Sequence, residues 1–288
     1  MSGVVEAAAL EAELLTVAER AARAAGEELL TRFGGGGAAL QVRTKSTPTD
    51  PVSAADIAAE AAIREVLARE RPGDAILGEE GGDTPGDGLA HSELRWIVDP
   101  LDGTVNYLYR IPTFAVSVAC EDSAGTLAGV VLNPAVGECF SATRSGPAWW
   151  LAAAGASPVR IDRDLGLDDL GHALLGTGFA YDSGVRAVQG RVAARLLPRV
   201  RDIRRAGVCS LDLGSCALQR LDAFYERGVK LWDIAAGALV CERSGLVVRR
   251  LDEVPGTHGD ADLPWGVVVA PPGLIDELEA LVAGPAPE

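Results

Sequence analysis

Apolar residues recur at helical spacing early in the chain: Leu10, Leu14, Val17, Ala21, Ala25 and Leu29 stand three or four apart, with Glu11, Glu19 and Arg23 elsewhere. This pattern predicts one amphipathic helix, stopped by the glycine run 34–37, the one low-complexity stretch. After a polar loop, Ser53 and Asp56 form a capping-box start. Ile57, Ala61, Val66 and Leu67 then supply the buried stripe of a second helix, ending before Pro72-Gly73. Apolar runs at 75–77 and 96–98 predict strands, the first delivering Glu79 and Glu80 and the second Asp99. Strand-like segments at 114–120, 126–132 and 138–142 are joined by short turns, which favours an antiparallel meander. From there the pattern changes. Short strands near 173–175, 201–204, 224–225, 246–248 and 267–269 alternate with helical patterns at 185–197, 209–221, 234–243 and 274–282, the signature of an α/β layer. The predicted fold class is α+β with an α/β C-terminal half. Two domains are expected, residues 1–158 and 159–288, with the boundary in the segment 155–164.

Composition narrows the chemistry. A chain of 288 residues with 48% hydrophobic and 23% charged residues is ordinary globular protein, which excludes disordered, collagen-like and coiled-coil classes. Its net charge of −15 repels phosphate backbones and anionic lipid, so neither nucleic acid nor membrane is an expected partner. An anionic substrate would need a divalent metal to bring it in. Lys45 and Lys230 are the only lysines among 26 basic residues. Cys120, Cys139, Cys209, Cys216 and Cys241 are odd in number and lack a C-x-x-C pair, so they read as core residues in a reducing compartment. The N-terminus carries acids rather than a basic leader, and no run of about 18 apolar residues occurs, which points to a soluble cytoplasmic protein. His91, His172 and His258 have no partner pattern and read as structural or exposed.

Seven acids lie between Glu79 and Asp102, at 79, 80, 83, 87, 93, 99 and 102. Most read as solvated loop residues. Asp99 and Asp102 differ, because both follow an apolar strand in W-I-V-D-P-L-D-G-T. A turn with Pro100 at its second position would bring their Cα atoms within about 7 Å. Two carboxylates there repel unless one is protonated or a cation sits between them, and an oxygen-only cluster suits Mg²⁺ or Mn²⁺. Asp102-Gly103-Thr104 has the form of a helix start capped by Asp102, whose free N–H groups would receive phosphate oxygens. Alone, the same residues also read as a simple Asx turn after a buried strand.

Residues 96–107, W-I-V-D-P-L-D-G-T-V-N-Y, resemble the first signature of the inositol monophosphatase family. Three more blocks match in order: Gly78-Glu79-Glu80-Gly81 its G-E-E segment, Lys45-Ser46 through Asp50 to Asp56 its K-S-x-x-D…T-x-x-D segment, and Leu231-Trp232-Asp233 through Gly237 its W-D-x-A-A-G signature. The resemblance covers roughly residues 10–280 and is nearest the inositol-type branch. It implies a layered αβαβα sandwich, with an antiparallel sheet in the N-terminal half and a mixed sheet in the C-terminal half. It further implies Mg²⁺ dependence with two or three ions, Mn²⁺ as a substitute, lithium sensitivity, a homodimer and a small phosphorylated substrate. Glu79, Asp99 and the Leu101 carbonyl would hold one metal, and Asp99, Asp102 and Asp233 a second, with a third near Glu79. Thr104 would bond the attacking water and Asp56 would orient Thr104. Gly103 and Thr104 N–H groups would take the phosphate. Asp102, Asp233, Gly207, Cys209, Glu226 and Lys45 would face the substrate.

Each assignment has a plainer reading: Asp56 as a capping carboxylate, Glu79 as a strand end, Trp232 as core. One departure stands out. The family's G-S-A-A or G-T-A-A is here Gly207-Val208-Cys209-Ser210, so Val208 replaces a hydroxyl residue and Cys209 an alanine, which puts selectivity in question. The expected activity is hydrolysis of inositol-1-phosphate. Fructose-1,6-bisphosphate, histidinol phosphate and 3′-phosphoadenosine-5′-phosphate are alternative substrates. A haloacid-dehalogenase-type phosphatase would need D-x-D where this chain has D-x-x-D. A non-catalytic regulatory or binding module on the same fold is the alternative outside enzymes. The run Trp149-Trp150-Leu151 reads equally as interface or core.

Overall fold

The fold is that of a computed structural model, which describes residues 2–34, 43–44, 51–52, 54–86, 93–256 and 260–284. Leu14, Val17, Ala21, Ala25 and Leu29 lose all or nearly all their exposure on one face of α1 (Ser2–Phe33). A two-residue pair, β1 (Arg43–Thr44) and β2 (Pro51–Val52), leads to α2 (Ala54–Glu70). The buried face of α2 is not the predicted one. Ile57 is 55% exposed and Ala61 is also exposed, whereas Ala55, Asp56, Ala59, Glu60, Ile63, Val66 and Leu67 are buried. A hydrophobic pattern cannot announce this face, because two of its members are carboxylates that find partners only in the folded chain.

The next segments are β3 (Ala75–Gly78), β4 (Gly82–Thr84), β5 (Arg95–Asp102), α3 (Thr104–Leu108), β6 (Ala115–Asp122), β7 (Gly125–Asn133), β8 (Glu138–Thr143), β9 (Ala148–Leu151) and β10 (Val159–Arg160). Their strands make an eight-stranded sheet in the order β10-β9-β8-β7-β6-β5-β3-β4. From β5 to β10 it is the predicted antiparallel meander. The prediction of a wholly antiparallel sheet fails at β3, which pairs with β5 in parallel, Gly78 opposite Val98. The reason is the hairpin between them: β4 folds back along the outer edge of β3, so the chain returns to the starting end of β3 before β5 begins. The sequence pattern also missed β4, β9 and β10: β4 and β10 are short edge strands, and β9 is a four-residue strand between β10 and β8.

The second half supplies β11 (Leu174–Thr177), α4 (Ser183–Leu196), β12 (Asp202–Arg204), α5 (Cys209–Ala217), β13 (Ala223–Arg227), α6 (Leu231–Arg243), β14 (Val247–Leu251), β15 (Gly266–Ala270) and α7 (Ile275–Val282). The five strands form the predicted mixed sheet, and their order is β12-β11-β13-β15-β14. Helix α5 ends four residues before the predicted 221, and α6 starts three before the predicted 234.

Three apolar clusters define five layers. Helices α1 and α2 pack with Trp96, Val98, Val116, Val118 and Val130 on one face of the first sheet. Ile97, Ala115, Ala119 and Phe140, on the other face, pack with α5 and α6, which also meet Phe224, Val267 and Val269 of the second sheet. Val268 and Ala270 point the opposite way, to α7 and to Val192 and Leu196 of α4. The period-two alternation of β15 thus serves both sides of its sheet. All five cysteines are buried and free.

Candidate active site

The site is built where the parallel pairing of β3 and β5 carries two strand ends to one place. The Glu79 N–H donates to the Val98 carbonyl at 3.3 Å, which sets Glu79 beside Asp99. Instead of closing in a turn at Pro100, as predicted, β5 continues to Asp102 with an irregularity. Asp99 pairs with Ser117 and Asp102 with Ala115, so three steps on β5 match two on β6, a bulge of one residue. Pro100 has no N–H for the ladder, and the Leu101 N–H turns to Asp99 Oδ1 at 2.9 Å. Across the sheet the Ser117 hydroxyl donates to the Trp232 carbonyl at 3.1 Å. That bond pins the first turn of α6, and with it Asp233, to the register position of Asp99. Asp233 is the third residue of α6, and its Oδ2 accepts the Lys230 N–H at 2.6 Å.

The predicted helix cap is also different. Gly103, not Asp102, caps α3, with a left-handed φ of 88° and no side-chain bond. Asp102 is occupied elsewhere: its Oδ2 accepts both the Ser210 N–H at 2.7 Å and the Ser210 hydroxyl at 2.6 Å. A Cβ at position 103 would stand 2.7 Å from Val208 Cγ2, so the backbone conformation and the packing of Val208 both select glycine there. Thr104 is buried, with Oγ1 3.2 Å from both Asp56 Oδ1 and the Leu101 carbonyl. One hydroxyl proton serves one of these acceptors at a time.

Glu79, Asp99, Leu101, Asp102, Gly103, Thr104, Gly207, Cys209, Glu226 and Asp233, all anticipated from sequence, line one cavity of about 500 Å³. Asp56 stands behind Thr104, outside the lining, and Lys45 lies outside the described residues. Burial raises the pKa of Asp99 well above the usual carboxylate range, and the charges of Glu79, Asp102 and Asp233 add to it. Burial likewise pushes Asp233 well up, with Asp102 and Glu79 adding and the Lys230 N–H opposing. Asp102 rises to about 6, mainly through burial, against the bonds from Ser210. The Asp99 carboxyl is in hydrogen-bond contact with both Glu79 and Asp233, which requires a shared proton or a cation between them. Among the described residues no three side chains stand in the geometry of a finished metal site. The donor chemistry nonetheless fits a hard divalent cation: carboxylate and carbonyl oxygens only, in a setting that penalises their charges.

Glu226, next to last in β13, also lines the cavity. Burial raises its pKa well above the usual range, Asp233 and Asp102 add to it, and Arg205 opposes. Burial and then Glu226 push the Cys209 thiol up, so it is a neutral thiol rather than a nucleophilic thiolate. Sequence reasoning missed Ser210, although a serine where the resembling family carries alanine was a readable signal. It also missed Arg205 on the cavity wall and Glu60 behind Glu79. The second of these stood one helical turn after Asp56. Of the histidines, His172 is exposed beside Asp169, while His91 and His258 lie outside the described residues.

Residues 10–283 match the Inositol monophosphatase family. The chain is 44% identical over 248 residues to an inositol-1-monophosphatase of Mycobacterium leprae, covering 85% of this chain and 81% of the relative. It is 39% identical to the Nus factor SuhB of Pseudomonas aeruginosa, covering 85% and 87%. The solved structure of Mycobacterium tuberculosis SuhB superposes with a TM-score of 0.73 at 34% identity, covering 96% of each chain.

Proposed function

Since the chain belongs to the inositol monophosphatase family and is a phosphoric monoester hydrolase, we propose that it hydrolyses inositol-1-phosphate to inositol and phosphate with Mg²⁺. Glu79, Asp99, the Leu101 carbonyl, Asp102 and Asp233 would hold two or three ions, with Mn²⁺ as a substitute. Bound there, the metal supplies a water of lowered pKa and positive charge for the phosphoryl oxygens. Thr104 donates its hydroxyl proton to Asp56, which leaves an oxygen lone pair to accept from the attacking water and aim it. The N–H groups of Gly103 and Thr104 receive the phosphate, and Lys45 adds a point charge. Asp102, Gly207, Cys209, Glu226 and Asp233 face the sugar hydroxyls. Glu226, with raised proton affinity, can donate to a hydroxyl as well as accept from one.

The observation that carries this reading is the meeting of Glu79, Asp99, Asp102 and Asp233, from three distant segments, on one cavity. The test is phosphate release from inositol-1-phosphate with and without Mg²⁺, using wild type and Asp102→Asn. The wild type is expected to need the ion and to be inhibited by Li⁺, and the variant to lose about 100-fold or more in kcat/KM. A wild type without activity, or a fully active variant, overturns the reading. Comparing kcat/KM on fructose-1,6-bisphosphate, histidinol phosphate and 3′-phosphoadenosine-5′-phosphate ranks the alternative substrates.

A second reading, a non-catalytic regulatory role, is favoured by the name of the Pseudomonas relative. No Mg²⁺ uptake up to tens of millimolar would support it over catalysis. The homodimer and cytoplasmic residence remain part of the proposal. Among the described residues no helix is long and apolar enough to cross a membrane.

A further inference from the structure

Helix α2 turns two carboxylates toward the site from one face, Asp56 and, four residues on, Glu60; both are buried. A buried carboxylate is tolerated only where its oxygens are fully engaged. Asp56 meets Thr104. Glu60 meets the two peptide units that directly follow Glu79: its Oε2 accepts the Glu80 N–H at 2.8 Å and its Oε1 the Gly81 N–H at 2.8 Å. Its charge is balanced by Arg64, whose Nε donates to Oε1 at 2.7 Å. Arg64 in turn reaches the Gly82 carbonyl at 3.1 Å and Thr84 Oγ1 at 3.0 Å, tying in β4.

The two glycines of Gly78-Glu79-Glu80-Gly81 have their explanation here. Neither has a positive φ, so backbone conformation does not demand them. A Cβ at either position would lie 2.5 Å from Glu60 Oε1. They leave room for the carboxylate to close on the turn.

We propose that Glu60 is a positioning residue for Glu79, a buried anionic clamp that holds the turn after β3 so that the Glu79 carboxylate meets Asp99 in the correct place. The Glu79 backbone is then gripped on one side by the Val98 carbonyl and on the other by Glu60. One face of α2 thereby sets both halves of the reaction geometry, the water-aiming hydroxyl through Asp56 and the cation-facing carboxylate through Glu60. Glu60 itself touches neither substrate nor cation, because its oxygens are taken by the two amides and Arg64. The proposal rests on the reading of Glu79 as a metal ligand.

The test is titration of the full-length protein with MgCl₂ by calorimetry, at a temperature where circular dichroism shows each variant folded. Glu60→Ala is expected to weaken Mg²⁺ binding about 10- to 100-fold, the usual cost of losing an outer support of a metal ligand. Gly78→Ala, whose Cβ would meet the Glu60 carboxylate as its nearest neighbour, is expected to weaken binding in the wild type and to add nothing in Glu60→Ala. With Mg²⁺ saturating, KM for the phosphate ester should stay within about twofold of wild type. Mg²⁺ affinity within twofold of wild type in folded Glu60→Ala, or an undiminished Gly78→Ala penalty in that background, overturns the proposal. If Glu60→Ala does not fold, Glu60→Gln, which keeps one of the two acceptors, is titrated in its place and unchanged affinity is fatal. If the wild type itself takes up no Mg²⁺, the functional reading fails, and the clamp is judged from amide hydrogen exchange. Glu80 and Gly81 should then be protected in wild type and exchange at least about 10-fold faster in the Glu60 variant; equal rates overturn it.

Discussion

Ser210 gives one oxygen of Asp102 two hydrogen bonds, from its amide and its hydroxyl. Both lie on the same atom, Oδ2, and together they fix the direction of the carboxylate. The amide bond would survive a change to alanine, which removes only the hydroxyl. Ser210→Ala is therefore expected to lower kcat/KM about 10-fold, the equivalent of roughly 1.4 kcal/mol, since a bond to a charged acceptor is worth about 1.5–3 kcal/mol. Steady-state assay alongside a thermal melt checks this. A melt displaced with no change in kcat/KM would mean that the hydroxyl serves folding alone.

At the scale of elements, the site depends on helices held against sheets. Helix α5 carries Cys209 and Ser210, and its middle, at Gly214, is packed on the ring of Phe140 from β8. Phe140 has no exposure and joins the cluster between the two sheets. Phe140→Ala is expected to cost about 3–5 kcal/mol, the transfer loss plus the cavity left where two elements meet. Urea unfolding checks the magnitude, and a loss below about 1 kcal/mol would show that α5 settles into the gap. A similar dependence governs α6. Its start at Leu231 rather than 234 places Asp233 within the first turn, where its carboxylate caps the Lys230 N–H. A cap of this kind holds the carboxylate at the helix start, the end that favours negative charge.

For the whole molecule, most of the 41 acids lie toward solvent, but among the described residues Glu11, Asp56, Glu60, Asp99 and Asp212 are buried. Asp212 is 4% exposed, and among the described residues its Oδ2 has no hydrogen-bond partner. Burial raises its pKa to about 8, with the charge of Asp102 adding and Arg205 opposing. The sign follows from proton counting. Between the ordinary carboxylate pKa of about 4 and a value of about 8, the folded state holds a proton that the unfolded state has lost. Stability therefore falls as pH rises through that window, with a contribution approaching 1.4 kcal/mol per pH unit at roughly its middle. Denaturant unfolding of the metal-free protein at pH 5, 6, 7 and 8 should show that decline, and Asp212→Asn should flatten it. Equal slopes in wild type and variant would remove Asp212 from the account.

What the amino-acid order determined by itself was local. The stripe of α1 from Leu14 onward, the meander from β5 to β8 and the strand–helix alternation of the second half are patterns of neighbouring residues, and periodicity reads them directly; Leu10, placed at the head of that stripe, is exposed, and Glu11 is buried instead. The candidate site residues were named differently, from short runs of consecutive residues that resemble a family's signatures, and not from periodicity. Tertiary structure decided whatever depended on a distant partner. Asp102 left the helix cap to Gly103 because Ser210, 108 positions away, claims its oxygen. The buried face of α2 turned from Ile57 to Glu60 because amides 20 and 21 positions on donate to that carboxylate and satisfy it there. Strand β5 joined β3 in parallel because β4 had already taken the outer edge. Periodicity measures how often a residue type recurs, whereas the partner that makes a buried charge tolerable is fixed only when the layers close.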